Sequence, residues 1–202
     1  MQTVKQIEKL WNARRYEALL RELTACRTDA DFVPLMHAGP MAIPAAAMAI
    51  IRLDEFAQAG APIYHKLVLC LLASQEADGG WGDPIVSALC LRALLAGRGT
   101  GEAVDQAINY LANLQKEEGI WPRIPFRRMP ADALTSAVVL YHLSHESRFR
   151  AAVQFDQAVQ WFDEHTAELD GQTRKLWQSI RLRCGMAHVR HERRESLWTA
   201  AS

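Results

Sequence analysis

Gln75-Glu76-Ala77-Asp78-Gly79-Gly80-Trp81 recurs in outline as Gln115-Lys116-Glu117-Glu118-Gly119-Ile120-Trp121, with Gln and Trp both displaced by 40 residues. Each copy follows an apolar stretch, Leu67 to Ser74 in the first and Ala107 to Leu114 in the second. Self-similarity at this period is the signature of a stacked helical repeat. The residue types have a physical task at such a place. A glycine permits the sharp turn that ends a helix. A Gln amide can bond the backbone groups that a helix end leaves unpaired. The Trp covers that bond with apolar area. Gln75, Gly79, Trp81, Gln115, Gly119 and Trp121 are therefore read first as the staples of neighbouring repeats.

Helix periodicity and helix punctuation continue on both sides, and β-hairpin signals are absent. A first helix capped by Thr3 and a short piece capped by Asp29 or Asp31 are expected before Gly39-Pro40. Helices are then expected over about 43–57, 62–74, 85–96 and 101–117. Asp83-Pro84 supplies a cap and a first turn. The stretch 131–144 is apolar almost all round, whereas 147–169 is amphipathic, with Ala152, Phe155, Ala158, Val159 and Phe162 inward. Asp170-Gly171 opens a last helix. All-round apolar helices are buried and amphipathic ones face water, so the alternation reads as inner helix, outer helix, repeated.

The Gln-x-x-x-Gly-x-Trp pattern, extended upstream in the second copy by Ala107, Tyr110 and Leu111, resembles the QW repeat of the terpenoid cyclases and protein prenyltransferases. The likeness runs from about residue 62 to 144. Cys70 stands where an aromatic is usual, and Gln106 where a basic residue is usual. The resemblance implies an all-α fold of α/α hairpins closing into a toroid of about six. At ~40 residues per repeat, this chain has room for three hairpins over 41–169. Cap helices over 1–40 and 170–195 and a tail over 196–202 complete a single domain. An open arc or half-toroid follows, with ends that need caps or a partner.

The resemblance also implies an isoprenoid cyclase or prenyl-processing activity, whose parts can be sought. The cyclase acid motif would fall on Asp132-Ala133-Leu134-Thr135, where Ala133 and Leu134 replace the paired carboxylates. Carboxylate pairing is what would tune such an acid, so Asp132 stands as a lone acid or as a helix cap like Asp83. An Asp-Asp-x-x-Asp magnesium cluster is not found in the sequence. Cys184, His188 and His191 share a helix face on which zinc could be held. No fourth ligand is apparent, and a packed helix end is the simpler reading. No cofactor is expected.

The loop after Trp121 is longer than its counterpart after Trp81. It carries Arg123, Phe126, Arg127 and Arg128 between prolines. Arginines beside an aromatic suit a phosphate or an acidic partner. The alternative is a proline-stiffened solvent loop. The C-terminal stretch is locally basic and ends in Ser196-Leu197-Trp198-Thr199, which reads as a docking anchor or a tail folded on its own core.

Charge narrows the classes. The 202 residues hold 23 basic and 23 acidic side chains, and the pI is about 7.1, which argues against nucleic acid as the main partner. The longest apolar run, 41–51, is too short to span a bilayer. The N-terminal residues do not read as a signal peptide, and Cys26, Cys70, Cys90 and Cys184 are scattered. A cytoplasmic protein is expected. Three readings remain. The favoured one is a non-catalytic arc binding an apolar, isoprenoid-like ligand or a protein on its concave face. The second is a cyclase or prenyl-processing enzyme, either a reduced cyclase using Asp132 or a half-barrel completed by homodimerisation. The third is an adaptor acting through the Arg-rich loop and the basic C-terminus.

Overall fold

The computed structural model describes residues 42–97, 101–126 and 128–184. Among them the regular structure is α-helical throughout: α1 (Ala42–Glu55), α2 (Pro62–Ala73), α3 (Pro84–Ala96), α4 (Gly101–Leu114), α5 (Ala133–Leu143), α6 (Ser147–Ala152), α7 (Phe155–Glu164) and a helix over 171–184, α8. The expected caps over 1–40, the tail over 196–202, Arg127, His188 and His191 lie outside the described residues.

The described residues fall into two compact units. One holds those up to Gly82 with Leu89–Tyr110, and the other holds Asp83–Ala88 with those from Leu111 onward. In the first, α1 packs on α2. The core there includes Ile50, Leu53, Leu67 and Leu71 of this pair, with Leu91, Leu94 and Ala107 from α3 and α4, all at most 1% exposed. In the second, Leu111, Trp121, Val139, Leu140, Phe149, Phe162, Trp177 and Ile180 are buried to the same degree. Phe162 stacks on Trp177 with ring centroids 4.7 Å apart. Each unit thus has an apolar centre of its own, the chief stabilising term in folding.

Helix starts follow local chemistry. Asp83 caps α3 through Oδ1, which accepts the Val86 N–H at 2.9 Å, and Pro84 takes the first-turn position where no N–H is needed. Asp132 caps α5 in the same way, accepting the Thr135 N–H at 2.7 Å. That cap moves the start of α5 from the expected 131 to Ala133. Asp170 accepts the N–H groups of Gln172 and Thr173 at the head of α8.

Two expectations need correction. The stretch 147–169 is not one helix: it breaks after Ala152, where Val153 is extended, and restarts at Phe155. Neither Pro nor Gly marks that break. A side chain 39 residues earlier does the work, because Gln115 Oε1 accepts the Gln154 N–H at 2.8 Å and so occupies a donor that a continuous helix would use internally. Of the residues expected inward, Ala158 and Phe162 are buried, Phe155 and Val159 are half-buried, and Ala152 is exposed. The Leu-rich α2 buries Ile63, Tyr64, Leu67 and Leu71 and leaves Leu69 52% exposed, as an outer helix does.

Candidate functional site

The two Gln-to-Trp turns have the same internal wiring. Gln75 Nε2 donates to the Gly79 carbonyl at 2.9 Å, and Gln115 Nε2 to that of Gly119 at 2.6 Å. The backbone N–H of Glu76 reaches the Gly80 carbonyl, and that of Lys116 the Ile120 carbonyl, both at 2.9 Å. Trp81 Nε1 donates to Leu71 O at 2.9 Å, and Trp121 Nε1 to Leu111 O at 2.7 Å. In both cases the acceptor is a carbonyl near the end of the preceding helix. Both indoles are nearly sealed, at 4% and 0% exposure. An aromatic of this size removes about 200 Å² from water, worth on the order of 5 kcal/mol, against about 1 kcal/mol net for its hydrogen bond. Burial holds the ring, and the hydrogen bond sets its direction.

Each turn also grips a later segment of its own unit. Gln75 Nε2 reaches the Ala103 carbonyl at 3.0 Å. Gln115 takes both backbone groups of Gln154, as acceptor of its N–H and as donor to its carbonyl at 3.3 Å. The backbone of α4 at Gln106 presses on Gly79, and that of α7 at Gln157 and Ala158 presses on Gly119. Of the partners on the far side, Gln106 and Tyr110 fall within the second copy of the repeat pattern, whereas Gln154 and Gln157 do not. The Tyr110 hydroxyl donates to the Gly82 carbonyl.

Asp132 has a structural task. Besides its side-chain cap, its N–H donates to Trp121 O at 2.8 Å, and its carbonyl accepts from Ser136 Oγ at 2.7 Å. Ser136, wholly buried, also accepts the Trp121 N–H at 2.8 Å. These bonds close the base of the long loop, where Pro122 and Ala131 form an isolated antiparallel bridge.

Above that base the loop holds itself through Phe126 N–H to Ile124 O and Met129 N–H to Phe126 O, at 2.7 and 3.0 Å. Its apolar side chains point to water: Ile124 is 41% exposed, Phe126 65% and Met129 37%. Arg123 and Arg128 are exposed beside them, and neither has an ion-pair or hydrogen-bond partner among the described residues. Arg123, Phe126 and Arg128 are therefore brought together on one short loop.

Cys184 is half-buried at the end of α8. Among the described residues no three His, Cys, Asp or Glu side chains are grouped to hold a metal ion, and no helix is long and apolar enough to cross a membrane. Comparison of the chain with protein-family models, with curated proteins and with solved structures finds no match.

Proposed function

We propose that this protein is a helical-repeat binding module whose recognition element is the loop between Trp121 and Asp132, and that its partner is a protein segment with acidic residues flanking an apolar anchor. The observation that carries this reading is Phe126, 65% exposed on a loop tied at its base. An exposed aromatic between unpaired arginines is the composition of an interface hot spot. Pro122, Pro125 and Pro130 stiffen the loop, so little ordering entropy is lost on docking. The test is selection of binding peptides from a displayed random library, with affinities then measured against variants. Enrichment of acidic, apolar-anchored peptides is expected, with affinity falling about tenfold or more on Phe126→Ala and falling further with salt for the arginine contacts. Peptides bound equally well by Phe126→Ala and by Arg123→Glu/Arg128→Glu would remove the loop from the account.

The duplicated Gln–Gly–Trp turn favours a second reading: the protein handles an isoprenoid, either holding it as an apolar ligand or cyclising it with Asp132 as acid, as a monomer or homodimer. Its catalytic form requires turnover of farnesyl, geranylgeranyl or squalene-type substrates that Asp132→Asn abolishes, and its non-catalytic form requires saturable binding of one of them without turnover. The engagement of Asp132 as a helix cap supports the non-catalytic proposal over this one.

A further inference from the structure

α2 and α4 hold equivalent places in the repeat, 40 residues apart, and each runs into a Gln-to-Trp turn. Their outward faces have opposite chemistry. α4 exposes Glu102, Asp105, Gln106, Asn109 and Asn113, as a helix that faces water does. In the same register, Leu69 stands where α4 has Asn109, and Ala73 where it has Asn113. Both are exposed on α2, and Val68 and Leu72 beside them are half-buried. Apolar positions grouped on one exposed face mark an interaction surface, as scattered ones do not. The exposed and half-buried series Pro62, His65, Leu69 and Leu72 advances by three, four and three residues. That is the spacing of a seam along which two helices pack.

The charges at the two ends of the seam point to its cover. His65 and Lys66 stand near the head of α2, and Glu76 lies exposed just past its tail. The side chains of His65 and Glu76 have no partner among the described residues. Positive charge near the head and negative charge after the tail both oppose the dipole of α2 itself. A second α2 laid antiparallel turns this to advantage, because each head then meets the other copy's tail. With the dyad between Leu69 and Leu72, each Leu69 faces the other copy's Leu72, the layer that antiparallel helices form. The same register brings each His65 to the end where the other copy has Glu76. A neutral imidazole still donates one N–H to a carboxylate, and Lys66 adds a fixed positive charge beside it.

We infer that the outward face of α2 is a self-association surface, on which a second copy of this chain lays its own α2 antiparallel about a twofold axis. Such a contact is isologous, with one patch serving both sides. The seam is short. Twelve residues of helix span only about 18 Å, whereas a standard stable interface takes about 800 Å² from each partner. The pair is therefore a reversible, concentration-dependent dimer and not a permanent one. The inference is independent of the loop reading, since α2 and the loop share no residue and belong to different units.

The test is sedimentation velocity of the full chain from micromolar to millimolar concentration. A reversible shift from monomer to dimer is expected. Leu69→Asn, which installs the residue that α4 carries at this place, is expected to weaken the dimer about tenfold or more. His65→Glu and Glu76→Lys are each expected to weaken it several-fold, and the double variant to restore it by reversing both ends together. Unchanged circular dichroism in all four proteins shows that the fold is kept. A monomer throughout the range would overturn the inference, as would a dimer that Leu69→Asn leaves untouched. Failure of the double variant to restore association would overturn the antiparallel arrangement. A chain that stays monomeric and unfolds earlier with Leu69→Asn would give the face to a segment of the same chain instead.

Discussion

Gly79 and Gly119 have φ of +90° and +81°, a region that side-chain-bearing residues rarely enter. Conformation is only half of the demand. A Cβ added at residue 79 would lie 2.5 Å from the Gln106 carbonyl oxygen, and one at residue 119 would lie 2.6 Å from the Ala158 nitrogen. Both obstacles are backbone, so neither can swing aside. Gly79→Ala and Gly119→Ala are each expected to cost about 2–4 kcal/mol, summing strain and overlap. Gly60→Ala, with nothing within 4 Å of the new methyl, is the control. Denaturant unfolding of the three variants measures this, and a change below about 1 kcal/mol at both turn glycines would contradict the close approach. The sequence makes these glycines visible as a pair. It does not reveal what presses on them, because Gln106 and Gln157 contribute backbone, and backbone has no sequence.

Single elements show where local chemistry suffices and where it fails. Asp83, Asp132 and Asp170 each cap a helix whose start is placed within a residue or two from the sequence. The Asp170 carboxyl is held below its ordinary value, chiefly by the Thr173 hydroxyl, then by the Thr173 and Gln172 N–H groups. A depressed native value means that the cap's stabilisation is complete above the unfolded pKa of about 3.9 and is lost as pH falls through the lowered native value. Helical content followed by circular dichroism should therefore show an acid-side decrease that Asp170→Asn flattens. A variant with an unchanged acid profile would exclude Asp170 as a contributor. The break at Val153–Gln154 lies beyond such local rules. Every residue there is compatible with helix, and the interruption comes from Gln115, distant in sequence. The loop after Trp121 is intermediate. Its length and arginines are legible, whereas its closure by Ser136 and Asp132 depends on a serine that reads as an ordinary helix residue.

At the scale of the whole molecule, 23 basic side chains balance 23 acidic ones, so no net charge steers a partner. Recognition must then come from local groupings. The loop is one that the sequence displays, through unusual composition. The placement of Arg150 over Phe155 is a grouping that it hides, since a lone arginine in an amphipathic stretch reads as a solvated side chain. The helical class and the repeat were legible because both express themselves as period, which neighbouring residues carry jointly.

The two turns differ at one buried position, and that difference makes them non-interchangeable. Gly80 lies so close to the Tyr110 ring that an added methyl carbon would fall 2.5 Å from it, whereas its counterpart Ile120 is buried at 1% exposure. Grafting the first heptapeptide onto the second site would merely hollow out a packed spot. The reverse transplant would drive a branched side chain into an aromatic ring. Only the glycine-bearing version is sterically compatible with both sites.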